Sequence, residues 1–220
     1  MSEYLSMKKV DLMIFDFDGT IVNSAKDIAS SVNYALETLE IPILREEEII
    51  RFIGDGVREL LRRSINKNYQ NKFEMALEIF MNHYLEHMLD TTELYCGIRD
   101  VLDFFSDKTK IIVTNKHYNL TRKMTDYFDI TDAFEEIVGV DSTPYRKPEQ
   151  YLLKSLMNRY NIESSRTVVI GDGINDIIFA KNACAISCAF LNGLGIRKEL
   201  LSLRPDFSYE EPLELKAIFY

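Results

Sequence analysis

The sequence predicts an α/β protein: a doubly wound parallel sheet into which an all-helical segment, residues 23–94, is inserted. Short apolar runs rich in β-branched residues alternate with helical patterns along most of the 220 residues. Most of these runs are apolar throughout, which is typical of parallel strands covered on both faces. From about Asn23 to Leu94 the alternation stops, because apolar residues there recur only at helical spacing.

Six runs are the candidate strands of the sheet. They are VDLMIF (10–15), KIIVTN (110–115), EIVGV (136–140), TVVIGD (167–172), AISCAFL (185–191) and the weaker DFSY (206–209). Between the third and fourth runs, Leu152, Leu156 and Tyr160 recur at every fourth position, as on one face of a helix. The stretch GIRKELLSL, after the fifth run, predicts one more short helix. This order of strands and helices favours a doubly wound parallel sheet.

The helical segment follows the first candidate strand directly. Its apolar stripes are Ile28, Val32, Leu36 and Leu39, then Phe73, Leu77, Phe80 and Tyr84, with Val57, Leu60 and Leu61 between them. We expect these stripes to pack on one another and no strand to form within the segment. Open α/β sheets bind ligands at the carboxyl ends of their strands, so an insertion at this point predicts a lid over that edge.

Composition and charge limit the classes of partner. Hydrophobic residues make up 46% and charged residues 28% of the chain, as in an ordinary globular protein, and the net charge is −9. Without a basic cluster, neither nucleic acid nor a membrane surface is an expected partner, whereas one local cationic pocket could bind a small anion. No secretory signal and no membrane-spanning run is visible, so we expect a cytoplasmic protein with reduced thiols.

Cysteine and histidine residues suggest no further chemistry. Cys96, Cys184 and Cys188 are too few for a disulfide framework, and we expect Cys184 and Cys188 to be small hydrophobic residues of a core. His83 and His87 are four residues apart, as two metal ligands on a helix would be. Because no third ligand is apparent, we expect both histidines to belong to the helical packing or the surface.

The first candidate strand ends in two carboxylates. In LMIFDFDGT, Asp16 and Asp18 are separated by Phe17, so both point to one side if the strand continues through them. Two anions about 4 Å apart repel by roughly 4 kcal/mol at an effective dielectric constant near 20. We therefore expect a cation or a proton beside them. Taken alone, the pair could also be a strand-ending turn that uses Gly19.

Other polar residues follow the later candidate strands. These residues are Thr114, Asn115, Lys147, Asp172 and Asp176. A parallel sheet would gather them at one edge. Asp16, Asp18 and Asp172 would then form a cluster of hard oxygen ligands that suits Mg²⁺, and Asp176 could support that cluster.

This set of residues can transfer a phosphoryl group. Beside a divalent cation, Asp16 could attack phosphorus and form an aspartyl phosphate. Asp18 could give a proton to the leaving oxygen and later take one from the attacking water. Thr114 and Asn115 can donate hydrogen bonds to the phosphoryl group, and Lys147 can neutralise charge on it and on Asp16.

The motifs DFDGT, VTNK, RKP and GDGIND resemble, in order and spacing, the four motifs of the haloacid dehalogenase superfamily of phosphatases. The resemblance covers nearly the whole chain and implies a Rossmann-like core with a mobile helical cap. The core would comprise residues 1–22 and 95–220, and the cap residues 23–94. The resemblance also implies Mg²⁺, Asp16 as the nucleophile, and metal binding through Asp16, Asp172 and the main-chain carbonyl of Asp18.

Within that superfamily, FIGDGVRELL (52–61) looks like the cap loop of phosphoglycolate phosphatases. Gly54 and Gly56 could simply separate two helices, or their main chain could approach the substrate when the cap closes. We expect Arg58 to meet a substrate carboxylate, with Arg62 and Arg63 as competing choices. The candidate substrate-binding residues are then Gly19, Asn115, Gly54 and Arg58. The implied function is Mg²⁺-dependent hydrolysis of a small phosphorylated metabolite, best guessed as 2-phosphoglycolate, by a monomer or homodimer.

Other functions would use similar residues. The substrate could be a sugar phosphate, a nucleoside monophosphate or pyrophosphate, and a sugar-phosphate mutase would use the same catalytic residues. A phosphonate-cleaving relative would need a cap lysine that forms a Schiff base. A signalling receiver is also phosphorylated on aspartate, but receivers are shorter and have no helical lid. A non-catalytic binding module is disfavoured because every motif residue is present.

Three positions depart from the phosphoglycolate phosphatases. Those relatives usually have Asp where this chain has Asn23, Pro where it has Cys96 and Gly where it has Cys184. None of the three positions belongs to the motifs above. The departures therefore bear on the substrate and leave the predicted chemistry intact.

Overall fold

The computed structural model describes residues 7–220, so residues 1–6 of the predicted core lie outside the described part. The strands are β1 (Leu12–Phe15), β2 (Val22–Asn23), β3 (Glu93–Leu94), β4 (Thr109–Val113), β5 (Glu136–Val138), β6 (Thr167–Gly171), β7 (Ile186–Phe190) and β8 (Phe207–Tyr209). The helices are α1 (Ala25–Thr38), α2 (Glu46–Ile50), α3 (Val57–Ser64), α4 (Phe73–His87), α5 (Ile98–Phe104), α6 (Tyr118–Tyr127), α7 (Gln150–Tyr160), α8 (Ile174–Asn182), α9 (Arg197–Ser202) and α10 (Leu215–Ile218).

The main sheet contains all six predicted strands, in the spatial order β5-β4-β1-β6-β7-β8, and every neighbouring pair is parallel. From β1 the chain first builds one side of the sheet through β4 and β5, then crosses to build the other side. The strand order therefore reverses beside β1, and the predicted doubly wound α/β class is confirmed. A crevice for ligands is expected at this point, outside the carboxyl ends of the central strands.

The central strand shows why these runs are apolar without alternation. All four residues of β1 are fully buried. Met13 and Phe15 belong to one hydrophobic cluster, whereas Leu12 and Ile14 belong to another. Since successive side chains of a strand point to opposite faces, the two clusters lie on the two faces of the sheet. Both faces are covered, as the sequence predicts.

The helical segment packs mainly through α1 and α4, whose apolar stripes face one another. The prediction that it contains no strand is wrong at its two ends. There β2 and β3 form a short antiparallel ribbon, with Val22 opposite Leu94 and Asn23 opposite Glu93. Two residues are too few to show a period in the sequence, so this pairing depends on tertiary structure alone. The ribbon connects the helical segment to the rest of the chain.

The histidines of α4 belong to its packing, as predicted. The ring of His83 stacks between those of Tyr34 and His87, and its Nδ1 lies 2.9 Å from Ser31 Oγ. His87 Nδ1 contacts Asp90 at 2.8 Å. Among the described residues, the only group of side chains placed to hold a metal includes neither histidine.

The cysteine prediction is only half correct. Cys188 is buried in β7, but Cys184 is exposed. Cys184 follows the end of α8 with φ of +58°, in the left-handed region that favours glycine. A residue that reverses the chain in this way lies at the surface, so its side chain does not reach the core. This is also the position at which the phosphoglycolate phosphatases usually have Gly.

Across residues 7–220, no helix combines the length and apolarity needed to cross a bilayer.

Candidate active site

The carboxyl ends of β1 and β6 bring distant acidic residues together. Asp16 follows β1, while Asp172 and Asp176 follow β6, and one carboxylate oxygen of each lies within 4.8 Å of the others. Lys147, from the loop after β5, places its Nζ 2.7 Å from Asp16 Oδ1 and 2.7 Å from Asp176 Oδ1. The edge predicted from the sequence is therefore one compact, buried group of charged side chains.

Burial and mutual repulsion make these carboxyl groups weak acids. Burial, with the Asp176 charge added, raises the pKa of Asp16 from 3.8 to about 7, although Lys147 opposes the shift. Burial and Asp16 raise the pKa of Asp172 to about 7 as well. Burial alone would lower the pKa of Lys147, but Asp16 and Asp176 raise it above its usual range. One ammonium among three carboxylates leaves the group in need of further positive charge.

A ring of donors fixes Asp172. Thr20 Oγ1 donates to its Oδ1 at 2.7 Å, and the main-chain amides of Leu194 and Gly195 donate to its Oδ2 at 2.8 and 3.2 Å. Gly19 lies against the same carboxylate with φ of +86°, and a Cβ there would be 2.2 Å from Asp172 Oδ2. Any side chain at position 19 would displace Asp172. Gly19 therefore has a packing role, while its contact with the substrate stays a prediction.

The donor set suits a divalent cation. Asp16, Asp172 and Asp176 offer buried carboxylate oxygens, the hard ligands that Mg²⁺ prefers. Their raised pKa values show that the folded protein favours an added positive charge at this point. The residues therefore fit the cation that the superfamily resemblance implies.

Asp18, also a predicted metal residue, turns its carboxylate away from that group. Its Oδ1 accepts a hydrogen bond from Ser24 Oγ at 2.6 Å, and Lys116 Nζ lies 3.0 Å from both of its oxygens. Lys116 in turn donates to the hydroxyl of Tyr84, on α4, at 2.6 Å. Of the four residues in this network, the sequence predicts a catalytic role only for Asp18.

Thr114 and Asn115 lie at the same edge, after β4. Thr114 is buried and lines a cavity together with Asp16 and Asp18. Asn115 Nδ2 donates to the main-chain oxygens of Gly54, at 2.9 Å, and of Lys147, at 3.4 Å. The loop that carries Gly54 therefore rests on the sheet edge, and an approach of this glycine to the substrate stays a prediction.

The cavity between the sheet edge and the helical segment is small, with a volume of about 60 Å³. The helical segment contributes mainly apolar side chains to its walls: Ile28, Ile53, Val57, Leu60, Phe80 and Met81. Gly54 and Gly56 border the cavity where the loop before α3 crosses it.

The arginines proposed to recognise a carboxylate lie outside this cavity. Arg58 forms an exposed ion pair with Glu74, Arg62 pairs with Glu59, and Arg63 pairs with Asp55. All three arginines line a second, more open cleft that also reaches Asn115 and Lys147. A contact between Arg58 and the substrate stays a prediction.

Several residues of the site have no assigned role in the sequence interpretation. They are Thr20, Ser24, Tyr84, Lys116, Leu194 and Gly195. For Lys116 a signal existed, since a cation directly follows Thr114 and Asn115 at the end of a strand. The stretch NGLG (192–195) likewise follows the fifth candidate strand, at the edge where ligands bind. Main-chain amides, however, are carried by nearly every residue type, so the sequence does not show which of them bind Asp172.

Residues 13–190 match the family model of the haloacid dehalogenase-like hydrolases. The chain belongs to this family. A relative from Vibrio parahaemolyticus named phosphoglycolate phosphatase is 26% identical over 226 residues, which span 97% of this chain and 99% of the relative. Another of that name, from Chromobacterium violaceum, is 31% identical over 189 residues and spans 82% of this chain and 85% of the relative.

Solved structures agree with this assignment. The crystal structure of a predicted phosphoglycolate phosphatase from Haemophilus somnus 129pt matches with a TM-score of 0.91 and 25% identity, over 97% of this chain and 99% of that chain. A haloacid dehalogenase-like hydrolase from Streptococcus pneumoniae shares the fold with a TM-score of 0.85 and 23% identity, over 94% of this chain and 97% of that chain. The superfamily resemblance and the predicted enzyme class, a phosphoric monoester hydrolase, are confirmed.

Proposed function

We propose that the protein hydrolyses a small phosphorylated metabolite in a Mg²⁺-dependent reaction, through an aspartyl phosphate on Asp16. One observation carries this proposal: Asp16, Asp172, Asp176 and Lys147 form one group beside a cavity between the sheet edge and the helical segment. The best candidate substrate is 2-phosphoglycolate, because the relatives at 26% and 31% identity carry that activity in their names. We expect a monomer or homodimer that acts on free metabolites in the cytoplasm.

Asp16, Asp172 and Asp176 would hold Mg²⁺, together with the main-chain carbonyl of Asp18 that the superfamily resemblance implies. When bound, the cation would offset the repulsion among these carboxylates and the charge of the phosphoryl oxygens. Thr20 and the amides of Leu194 and Gly195 keep Asp172 in place for this role.

Asp16 is oriented as a nucleophile through one of its oxygens. Oδ1 accepts from the amide of Phe17 at 2.6 Å and contacts Lys147 Nζ at 2.7 Å. With Oδ1 held, the carboxylate plane is fixed and the nucleophile is pre-oriented for phosphorus. Lys147, which also contacts Asp176, neutralises charge as the phosphoryl group approaches.

The reaction takes two steps. In the first, an Asp16 oxygen bonds to phosphorus, the bond from phosphorus to the leaving oxygen breaks, and that oxygen takes a proton from Asp18. In the second, water gives a proton to Asp18 and attacks the same phosphorus, the bond to Asp16 breaks, and inorganic phosphate leaves. Thr114, which lines the cavity beside both aspartates, donates its hydroxyl hydrogen bond to the transferring group.

Residues 23–94 act in this proposal as a cap that covers the substrate. Contacts between the helical segment and the sheet edge support it: Gly54 with Asn115, Asp55 with Asn175 at 2.5 Å, and Tyr84 with Lys116. Such a cap would exclude bulk water from the phosphoryl group during transfer. Its boundaries would lie at the ribbon formed by β2 and β3.

The test is a panel of phosphorylated metabolites assayed for phosphate release with and without Mg²⁺. We expect Mg²⁺-dependent release from 2-phosphoglycolate, and Asp16→Asn to lower kcat by about 10⁴-fold or more because it removes the nucleophile. The melting temperature of Asp16→Asn should not fall, since one buried charge is removed. Activity in Asp16→Asn comparable with that of the native protein would refute the aspartyl phosphate. Isomerised product without phosphate release would favour a mutase.

A further inference from the structure

Tyr84 makes a contact that the proposed two-step reaction does not require. It is buried on α4, within the helical segment, and its hydroxyl accepts a hydrogen bond from Lys116 Nζ at 2.6 Å. The same ammonium lies 4.5 Å from the centre of the Tyr84 ring. The ring itself stacks on Phe80, with centroids 5.4 Å apart. Packing alone would not need the hydroxyl.

Lys116 has no hydrogen-bond donor left for a substrate. A lysine ammonium carries three N–H donors. In the structure its three partners are Asp18 Oδ1 and Oδ2, each at 3.0 Å, and the Tyr84 hydroxyl. Lys116 therefore holds a protein carboxylate, and the tyrosine occupies its remaining donor.

The carboxylate that Lys116 holds is otherwise fixed by one hydrogen bond. The side chains of Lys116 and Asp18 are only 7% and 13% exposed, so water does little to orient them. The other side-chain donor is Ser24, whose Oγ lies 2.6 Å from Asp18 Oδ1. Ser24 directly precedes α1, so the helical segment contacts Asp18 directly at its start and through Lys116 at α4.

We propose that Tyr84 is a positioning residue: by binding Lys116, it fixes the ammonium that orients the Asp18 carboxylate. The closed helical segment and a correctly oriented Asp18 then occur together, because α4 supplies the third partner of Lys116. This inference rests on the proposed function, in which Asp18 transfers the proton. It predicts that the Tyr84 hydroxyl matters only when that proton transfer limits the rate.

The test uses Tyr84→Phe, which keeps the ring and removes the hydroxyl. On 2-phosphoglycolate, an alkyl phosphate whose leaving oxygen needs a proton, we expect kcat to fall about tenfold, as for loss of one charge-assisted hydrogen bond, with KM changed less than about twofold. On p-nitrophenyl phosphate, the first-turnover release of p-nitrophenolate should stay unchanged, because that leaving group departs without a proton. Equal slowing of both substrates, or of neither, would overturn the inference.

A double-mutant cycle tests whether Tyr84 acts through Lys116. Lys116→Met should reduce the alkyl phosphate rate by more than Tyr84→Phe does. Adding Tyr84→Phe to Lys116→Met should then have no further effect, because the connection is already broken. Rate losses that multiply would show that Tyr84 acts independently of Lys116 and would overturn the inference.

Two further variants complete the design. Tyr34→Phe is the matched control, since Tyr34 is exposed on α1 and its hydroxyl has no hydrogen-bond partner among residues 7–220; both substrates should be turned over at the native rate. Ser24→Ala removes the other contact with Asp18 and should reproduce the difference between leaving groups, even if Tyr84→Phe fails to fold. If Ser24→Ala slows both substrates equally, or neither, the orientation of Asp18 does not limit the reaction and the inference is overturned. A native protein that is inactive on every phosphate ester would instead refute the proposed function.

Discussion

Two ion pairs of nearly equal length show how differently the sheet edge and the outer face of the helical segment behave. Lys147 Nζ lies 2.7 Å from Asp16 Oδ1, with side chains 2% and 12% exposed. Arg58 lies 2.5 Å from Glu74 Oε1, with side chains 62% and 73% exposed. By distance alone the exposed pair looks the stronger. Because water screens it, an exposed pair contributes only about 0–1 kcal/mol to stability.

The buried pair is coupled to its surroundings, whereas the exposed pair is not. Lys147 also contacts Asp176, and burial together with the charge of Asp176 raises the pKa of Asp16 to about 7. Because these side chains are buried, an uncharged residue in place of Lys147 would alter both the charge of the site and the stability of the fold. Burial therefore distinguishes the charges of the candidate site from the ordinary surface charges of this protein better than contact distance does.

The largest effect on stability is expected from Lys147→Met. Removal of the ammonium leaves Asp16 and Asp176 buried without a cation, which should lower the free energy of unfolding by about 3–5 kcal/mol. Urea denaturation without Mg²⁺ measures the difference. Lys154→Met, at an exposed lysine of α7, is the matched control and should change stability by less than about 0.5 kcal/mol. Equal losses of stability in the two variants would contradict the difference between the buried and the exposed lysine.

An intermediate effect is expected from Mg²⁺, and it should depend on pH. Asp16 and Asp172 have pKa values of about 7 in the folded protein against an ordinary 3.8. The folded state therefore binds these protons more tightly than the unfolded state does. Their contribution to stability is complete below pH about 4 and is lost as the pH rises through about 7. Mg²⁺ requires the deprotonated carboxylates, so it should stabilise the protein most where the protons have left.

Melting curves with and without Mg²⁺ test whether the stabilisation by Mg²⁺ increases with pH. The Mg²⁺-induced rise in melting temperature should be small near pH 5 and largest near pH 8, and at about 100 times the dissociation constant it corresponds to about 2.7 kcal/mol. Asp172→Asn should weaken the response at every pH. A rise that is larger near pH 5 than near pH 8 would contradict the assignment of the metal to these carboxylates.

The smallest effect on stability is expected from Arg58→Ala. Loss of its exposed pair with Glu74 should change the free energy of unfolding by less than about 0.5 kcal/mol. If Arg58 meets a substrate carboxylate, the same variant should lower activity on 2-phosphoglycolate more than on phosphate esters without a carboxylate. Arg45→Ala, which removes the exposed pair with Glu48 at α2, is the control. Equal losses on every substrate would argue against recognition by Arg58.

Much of the sheet and its acidic edge could be predicted because burial and topology leave clear patterns. A parallel strand covered on both faces is apolar throughout, as in β1, so the polar residue that ends it is conspicuous. Asp16 and Asp172 stand at such ends, and parallel pairing brings the ends together. Even the weak run DFSY forms the edge strand β8, next to β7.

The contacts of Asp18 could not be predicted because they depend on packing between distant elements. Lys116 and Tyr84 are 32 residues apart in the chain, and they meet only because α4 packs over the sheet edge in one register. A tyrosine at helical spacing among apolar residues indicates only burial. The position of the amides that hold Asp172 likewise depends on the conformation of the NGLG loop. The conformation of Cys184 depends on how the chain leaves α8.

The two-residue strands β2 and β3 also indicate where the helical segment of this protein could be replaced. They place the entry and exit of the helical segment side by side, with Val22 opposite Leu94, and paired strands are only about 4.8 Å apart. Any folded unit with termini that close could be grafted between them while β1 and its neighbours keep their register. If residues 23–94 cover the substrate as proposed, they could then be exchanged without altering the sheet, and chimaeras with foreign helical segments would be a route to new substrates.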